Sequence, residues 1–289
     1  MFAIPSAAAL QLGRAPGGMR YHRGRERTHG SDCGMNFTIR ALLLAVGLCA
    51  AMLALQELGR RLGVQRAARD PEGARAGAGV VDGAIFALLG LLIAFTFSGA
   101  ASRFEERRKL VVEEANAIGT AYLRIDLLPA AVQGDLREGF RRYLDARLAV
   151  YRMLPDLDAS KVELARANRL QQEIWGKAVA ASAGTPAAVL VLPALNQMID
   201  ITTTRTMVAQ AHPPAIIFML LCGLALLGAL LAGDAMAAAR KRDWVHMATF
   251  AFAVAGAVYV ILDLEFPRLG FIRVDAFDAV LVELRASMQ

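Results

Sequence analysis

Six polar side chains follow an apolar run near residue 100, at alternating spacings of four and three residues. They are Ser102, Glu106, Lys109, Glu113, Asn116 and Thr120. In an α-helix this spacing places them on one face, where a soluble coiled coil would have its apolar seam. We call this set the polar stripe. Such a face could bind ions or line an aqueous passage; the alternative is a solvated face with ion pairs within the helix, such as Glu105 with Lys109.

Two further polar groups lie beside apolar runs. They are Asn196, Asp200, Arg205 and His212 before the third run, and Asp263 and Glu265 at the end of the fourth. Acidic side chains within or beside a membrane-spanning helix are rare and are often functional. The first group could bind an ion or pair with the region of Glu106 and Arg108, and the second is a candidate for a functional role. The structural alternatives are a hydrogen-bond network between helices for the first group, and helix capping or an ion pair with Arg268 for the second.

The sequence lacks the patterns of common catalytic and cofactor sites. It has no HExxH motif, no phosphate-binding loop and no recognisable Ser/His/Asp or Cys/His set. Cys33, Cys49 and Cys222 are far apart, which gives neither a disulfide framework nor a paired-cysteine metal site. The net charge of +6 is not gathered into a basic patch with interleaved aromatic residues. We therefore expect no enzymatic activity, no cofactor, no metal and no nucleic-acid partner.

The helices that carry these groups are expected to cross a membrane. The chain is 56% hydrophobic, and its mean hydropathy of +0.42 is high for a soluble globular protein. Four segments reach the length of roughly 17–20 apolar residues that crosses the hydrocarbon layer. They are residues 37–58, 80–101, 214–233 and 245–262. The lipid bilayer is therefore an expected partner.

The segment between the second and third spans is expected to form helices outside the membrane. It shows helical periodicity and no strand pattern, and prolines punctuate it. The fold class that follows is all-α: an integral membrane protein with four transmembrane helices and a helical extramembrane insert between spans two and three. The loop at 60–79, rich in Gly, Ala and Arg, is expected to be irregular.

The chain is expected to divide into five parts. They are a basic leader (1–34), transmembrane helices 1 and 2 (35–101), the extramembrane helical region (102–212), transmembrane helices 3 and 4 (213–263) and a C-terminal tail (264–289). The leader is predicted to be disordered or not translated, because Met35 begins a segment that leads directly into a span. Met1, Met19 and Met35 are the alternative start residues.

Three segments resemble a known family. They are AFTFSGAASRFEERRKLVVEEANAIGTAYLR (94–124), LNQMIDITTTRTMVAQAHPP (195–214) and VYVILDLEFPRLG (258–270). Together they are similar to the bacterial bestrophin-like family, a domain of unknown function, over roughly residues 37–275. A more distant similarity to true bestrophins rests on two sets of residues. They are Arg103, Glu106, Arg108 and Asn116 after the second span, and Glu265, Pro267 and Gly270 after the fourth.

The resemblance implies a four-span, all-α subunit with both termini on the side of the insert. True bestrophins assemble as pentamers around an axial anion pore lined by the second span, which implies a homo-oligomer here, a pentamer by resemblance. The pore-lining candidates, which share one face of the span, are Phe86, Gly90, Ile93 and Phe97. The polar stripe, with Arg103 and Arg108, would then line a wider vestibule or form subunit contacts. Aromatic rings at such a constriction gate by dewetting.

Two features depart from the pattern of true bestrophins. No acidic run after the fourth span resembles the calcium clasp of animal bestrophins; only Asp275 and Asp278 lie there. The stripe contains Glu106 and Glu113, which would repel anions unless cations pair with them. Cation conduction and no conduction therefore stay open beside anion conduction.

The sequence favours an oligomeric ion channel whose pore is lined by the second span. The alternative is a membrane-anchored scaffold or sensor whose helical insert binds a partner. The expected location is the bacterial cytoplasmic membrane, with the insert and termini in the cytoplasm. Without the leader, Lys and Arg near the span ends are equally numerous on the two sides, so charge asymmetry does not decide the orientation.

Overall fold

The computed structural model describes residues 29–69, 78–154, 156–238 and 242–288. These ranges consist of helices joined by short turns and contain no strand, which confirms the all-α class. The predicted leader falls mostly on residues 1–28, which lie outside the described residues. Its nature and the start residue stay predictions.

Eight α-helices follow one another within the described residues. They are α1 (His29–Arg69), α2 (Ala78–Leu123), α3 (Ala130–Arg152), α4 (Leu157–Ser182), α5 (Ala188–Gln210), α6 (Ala215–Ala235), α7 (Trp244–Glu265) and α8 (Ala279–Ser287). Short 3₁₀ turns follow α2 and α6 and precede α8. They are Arg124–Leu127, Met236–Ala238 and Asp275–Asp278.

Four helical segments are long and apolar enough to cross a membrane. They are Phe37–Arg69, Gly79–Leu127, Ala188–Ala235 and Trp244–Glu265. The third segment joins α5 and α6, and α6 carries its more apolar part. The prediction of four spans, formed by α1, the first half of α2, α6 and α7, is confirmed.

The four spans pack around one apolar core. α1 packs against α6 and α7, and α2 packs against the same two helices. Each span contributes a buried side chain: Met52, Leu89, Leu221 and Val258, in chain order. The spans therefore form one bundle with α1 and α2 on either side of the α6–α7 pair.

α1 and α6 cross at a contact that only glycine permits. A Cβ atom on Gly233 would lie 1.9 Å from the carbonyl oxygen of Gln56. A Cβ atom on Gly59 would lie 2.0 Å from the carbonyl oxygen of Leu230. Glycines at such a crossing let two helix backbones approach closely in lipid. The glycines of α1 and α6 therefore set the distance between these two spans.

The same contact extends α1 beyond the membrane. A Cβ atom on Gly63 would lie 2.5 Å from that of Ala237, and Arg66 Nη1 donates to Asp234 Oδ2 at 3.0 Å. The expectation of irregular structure from residue 60 is therefore wrong up to Arg69, because packing against the end of α6 keeps this segment helical.

α2 passes from the membrane into the insert without a break. Its 46 residues contain no proline, and at the helical rise they extend over roughly 70 Å. The hydrocarbon layer accounts for only about 30 Å of this length. The second half of α2, which carries the polar stripe, is therefore the first helix of the insert.

The insert has an apolar core of its own. The second half of α2 packs against α5 and α8, while α3 packs against α4 and α8. Its buried residues come from five helices and include Ile118, Phe140, Ile174, Leu195 and Leu281. Phe104 packs against this core and against the core of the spans, so α2 joins the two.

A buried polar network fixes three insert helices relative to one another. The Tyr143 hydroxyl of α3 lies 3.0 Å from Thr202 Oγ1 of α5. Gln171 Nε2 of α4 donates a hydrogen bond to the same Tyr143 hydroxyl at 3.0 Å. Burial raises the pKa of Tyr143 to about 12, so its hydroxyl stays protonated at physiological pH. A satisfied buried network of this kind specifies one arrangement of helices.

Both ends of the described region lie on the side of the insert. Near the start of α1, the Thr38 hydroxyl donates to the carbonyl oxygen of Leu269, after α7, at 2.9 Å. Helix α8 packs against α2 and α3. The end of α1, the end of α6 and the start of α7 therefore lie together on the opposite side of the bundle.

We expect Gly233→Ala to destabilise the bundle, because its methyl group would overlap the α1 backbone. The cost is roughly 1–3 kcal/mol or more, as for overpacked cores, and a lower unfolding temperature in detergent measures it. Gly223→Ala is the matched control in the same helix, since a Cβ atom there meets nothing within 4 Å. Equal unfolding temperatures for the two variants would contradict the close contact.

Candidate functional site

An ion pair lies where α2 leaves the membrane. Arg103 Nε donates to both carboxylate oxygens of Glu265, at 2.9 and 3.2 Å, and Nη2 donates to Oε1. Glu265 ends α7 and is buried. A buried carboxylate is costly unless a cation neutralises it, so this pair holds the end of α7 against α2. Arg268, the alternative partner, instead binds Asp275 and Asp278.

Arg107 holds the ends of two helices at the same junction. Its Nη1 donates to the carbonyl oxygen of Glu265 at 3.1 Å, and its Nη2 donates to that of Ala211 at 2.8 Å. Carbonyl groups at helix C-termini lack partners within the helix and carry partial negative charge, so one guanidinium satisfies α7 and α5 together. Arg107 is not among the site residues predicted from the sequence. Its position four residues after Arg103, on the same face, is the signal that could have identified it.

His212 also lies at this junction. Its Nδ1 is 3.6 Å from Glu265 Oε2, and its ring stacks on Phe266 with centroids 4.6 Å apart. Phe266 in turn contacts Phe37 of α1, at a centroid distance of 4.8 Å. His212 is therefore separated from the other members of its predicted cluster and joins α1 and α7 instead.

Asp263 caps the loop that follows α7. Its buried carboxylate accepts hydrogen bonds from the backbone N–H groups of Phe271, at 2.9 Å, and Ile272, at 2.7 Å. A Cβ atom on Gly270 would lie 1.8 Å from Asp263 Oδ1, so this turn requires glycine. Asp263 therefore stabilises the turn after α7.

A second buried carboxylate lies deeper in the insert. Glu114 of α2 accepts a hydrogen bond from Arg147 Nε of α3 at 2.6 Å and one from Arg205 Nη1 of α5. All three side chains are buried. Arg205 Nη2 also donates to Asp278 Oδ1 at 3.1 Å. One charge cluster therefore joins α2, α3, α5 and the turn before α8.

Glu114 and Arg147 are likewise absent from the site residues predicted from the sequence. Glu114 lies between Val111 and Ile118 on the apolar face of α2. A charged residue within an apolar stripe of helical period indicates a buried ion pair, because an unpaired charge could not be buried there. This signal marks the residue but does not identify its partner.

Tyr151 lies among the arginines of this cluster. The Arg205 and Arg268 guanidinium carbons lie 3.8 and 4.5 Å from its ring centroid, and Arg147 Nη2 donates to its hydroxyl at 2.5 Å. Burial raises the pKa of Tyr151, so the ring stays neutral. Its π face thereby stabilises positive charge that Glu114 alone does not compensate.

The polar stripe lies on the outer surface of α2. Its exposed members are Ser102, Glu106, Lys109, Asn116 and Thr120. The sixth member, Glu113, is partly buried. Lys109 Nζ lies 3.4 Å from Glu113 Oε1. Glu106 makes no ion pair or hydrogen bond with any of the described residues. The stripe is therefore a polar surface with one unpaired carboxylate.

Arg103 and Arg108 do not share this surface. Arg103 turns towards Glu265, as described above. Arg108 Nη1 lies 3.2 Å from Glu105 Oε1, and its guanidinium carbon lies 4.8 Å from the ring centroid of Phe277. The structure therefore separates these two arginines from the stripe with which they were grouped.

Part of the stripe lines a groove of about 650 Å³ between α2 and α5. Its polar lining comes from both helices and includes Glu113, Asn116, Thr120, Asn196, Asp200 and Thr204. Asn196 Nδ2 donates to Asp200 Oδ2 at 2.9 Å. The tertiary structure thus brings the stripe together with two residues of the cluster predicted near span three.

The four pore-lining candidates lie along one strip of α2, at the boundary between its packed and its exposed face. Phe86 packs edge-on against Phe250 of α7 with centroids 5.8 Å apart, and Ile93 packs against the core of the spans. Phe97 is exposed, and a Cβ atom on Gly90 would meet nothing within 4 Å. Gly90 and Phe97 are therefore the exposed members of the four candidates.

The buried carboxylates are bound by other groups of the subunit, whereas the exposed polar groups can bind ions or other molecules. Glu114 and Glu265 are both bound by guanidinium groups, which makes them structural anchors. In the part of the chain that the structure describes, no three His, Cys, Asp or Glu side chains are arranged to hold a metal ion. The stripe and its groove are therefore the polar surface on which ions or another chain could bind.

A family model for a Bestrophin-like domain matches residues 42–276. The match covers the spans, the insert and the junction with Arg103 and Glu265, and it confirms the resemblance found from the three segments. No curated protein and no solved structure matched the chain.

We expect Glu114→Gln to destabilise the insert strongly, because it leaves Arg147 buried without a counter-charge. Breaking a buried pair costs roughly 3–5 kcal/mol, measured as a lower unfolding temperature of the purified protein. Glu138→Gln is the control, since it removes a carboxylate from an exposed pair with Arg141 on α3 that contributes about 1 kcal/mol or less. Similar losses in both variants would show that Glu114 is not an anchor.

Proposed function

Because the chain belongs to the Bestrophin-like family, we propose that it forms a homo-oligomeric channel for small ions in the bacterial cytoplasmic membrane. The proposal includes a pentameric assembly and a cytoplasmic insert, as the resemblance to true bestrophins implies. It assigns the wall of the pore to the exposed side of α2.

One observation carries the proposal: α2 is the least buried of the four spans within its own subunit. Only 6% of the residues in its most apolar stretch are fully buried, against 22%, 28% and 33% for the other three spans. The side of α2 that does not face α6 and α7 is therefore available for contacts outside the subunit. The second span is also the one that the resemblance assigns to the pore.

Lipid alone does not account for this surface, because it continues beyond the membrane. Within the span the exposed side carries large apolar residues such as Leu91 and Phe95 beside small ones such as Ala94. On the same side of the same unbroken helix follow Glu105 and Lys109, then the rest of the stripe. Subunits arranged about an axis along α2 would bring both parts to the centre of the assembly.

The proposed pore has a narrow apolar part and a wider polar part. Phe97 and Gly90 form the narrow part, since they are the accessible members of the four candidates. A ring of exposed Phe97 side chains would control conduction by dewetting. The polar stripe would line the vestibule that follows, with the groove between α2 and α5 at its margin or at a subunit contact.

Glu106 determines the proposed charge preference. It is exposed just beyond the span and has no partner within the described residues, whereas Lys109 and Glu113 neutralise each other. In a symmetric oligomer Glu106 forms a ring of negative charge, which favours cations. We therefore propose cation conduction.

Reconstituted protein should conduct in planar bilayers, and Phe97→Ala should raise the single-channel current because it widens and wets the constriction. Phe252→Ala, an exposed aromatic residue on α7, should leave the current unchanged. Light scattering in detergent should give the mass of an oligomer. A monomer that carries no current under any ion gradient would contradict the proposal and favour a membrane-anchored scaffold or sensor.

Glu106→Gln should reduce cation over anion selectivity, because it removes the ring of charge. The measurement is the reversal potential under a salt gradient. Glu173→Gln is the matched control: Glu173 is likewise exposed on α4, without an ion pair among the described residues. An unchanged reversal potential in Glu106→Gln would exclude this residue from the conduction path.

A further inference from the structure

The side of the bundle opposite the insert carries an arginine cluster that the proposed channel does not use. Glu57 Oε1 accepts hydrogen bonds from Arg61 Nε at 2.9 Å, from Arg60 Nη2 at 3.0 Å and from Arg242 Nη2 at 3.0 Å. Arg60 Nε also donates to Glu57 Oε2 at 3.0 Å. Three guanidinium groups therefore converge on one carboxylate, and two positive charges are left uncompensated.

Among the described residues, the nearby acidic side chains Asp234 and Asp243 make their contacts elsewhere. Asp234 pairs with Arg66 at 3.0 Å, and Asp243 contacts His246 Nδ1 at 2.6 Å. Within the described ranges, Glu57 is the only carboxylate that binds the three arginines of the cluster. Like charges held this close favour the binding of a further anion.

Two of the three arginines are free to bind such an anion. Arg60 makes two bonds to Glu57, and only 20% of its side chain is exposed. Arg61 and Arg242 make one bond each, and 64% and 46% of their side chains are exposed. A guanidinium has five N–H donors, so both retain donors for another group. Their planar geometry suits phosphate oxygens in particular.

The cluster adjoins exposed apolar side chains at the start of a span. Trp244 is the first residue of α7 and is 54% exposed, and the Arg242 guanidinium carbon lies 5.9 Å from its ring centroid. Val245, beside it, is also exposed. Tryptophan is enriched where lipid headgroups meet the acyl chains. Positive charge and apolar surface therefore lie side by side at the membrane boundary.

We propose that this cluster is a binding site for the headgroup of an anionic phospholipid. Arg61 and Arg242 bind the phosphate, while Trp244 and Val245 contact the upper part of the acyl chains. Arg60 stays on Glu57 and keeps that carboxylate neutralised. Inorganic phosphate shares the charge chemistry, but it would leave the two apolar side chains uncovered. The lipid covers both parts of the site.

Quenching of Trp244 fluorescence by brominated lipids tests the proposal in the full-length protein. The chain has two tryptophans, so Trp175→Phe leaves Trp244 as the only one. In nanodiscs of phosphatidylcholine and phosphatidylglycerol, with one or the other brominated, the protein should select phosphatidylglycerol. Adding Arg61→Gln and Arg242→Gln should lower this preference by roughly ten- to thirty-fold, since each arginine contributes to binding an anionic lipid.

The matched control adds Lys161→Gln and Arg166→Gln instead. These two substitutions also remove two positive charges. Each charge belongs to an ion pair on the surface of α4, with Asp158 or with Glu163. The lipid preference should therefore not change. Unchanged unfolding temperatures verify that the variants are folded. Equal quenching by the two lipids before the arginines are replaced would overturn the proposal, as would an equal loss in the control. Suppression of the preference by millimolar inorganic phosphate would indicate a free-anion site instead.

Discussion

A carboxylate buried at the edge of a membrane must be matched by a cation, and the rest of this structure depends on that match at Glu265. Arg103 neutralises its carboxylate, and Arg107 binds its backbone carbonyl and that of Ala211. Because both arginines belong to α2, they hold the middle of this helix against Glu265 and Ala211. They also bring the ends of α5 and α7 together. The stacking of His212 on Phe266 completes the junction next to α1.

A second buried carboxylate, Glu114, is neutralised by arginines deeper in the insert. With this second ion pair, α2 has one face of buried charges and one exposed polar face. Arg103, Arg107 and Glu114 all turn inward and are bound by other helices. The opposite face, with Lys109 and Asn116, is exposed. The inward charges hold the subunit together, which leaves the outward polar groups available for ions or neighbouring subunits. A helix so divided can serve as a structural axis and as a functional surface at once.

The two sides of the membrane bundle use arginine differently. On the side of the insert, the arginines at Glu265 and Glu114 are matched by buried acids and helix ends. On the other side, Arg61 and Arg242 share the single negative charge of Glu57 with Arg60, so positive charge is in excess. Matched charges stabilise a fold, whereas an excess at the headgroup level favours an external anion. The glycine contact between α1 and α6 holds this second cluster in place.

The sequence by itself determined the all-α class, the four spans, the insert and the placing of the polar stripe on one helical face, because hydropathy and helical period are local properties of the chain. Only the tertiary structure decided which residues form the buried ion pairs. Glu265 and Arg103 are 162 residues apart, and no local pattern specifies which distant cation reaches a buried acid. It also decided that the strip from Phe86 to Phe97 lies at the margin of the packed face, where Phe86 and Ile93 are partly covered and Gly90 and Phe97 are exposed. On an apolar helix every face has nearly the same composition, so the packing of α6 and α7 determines which face is covered.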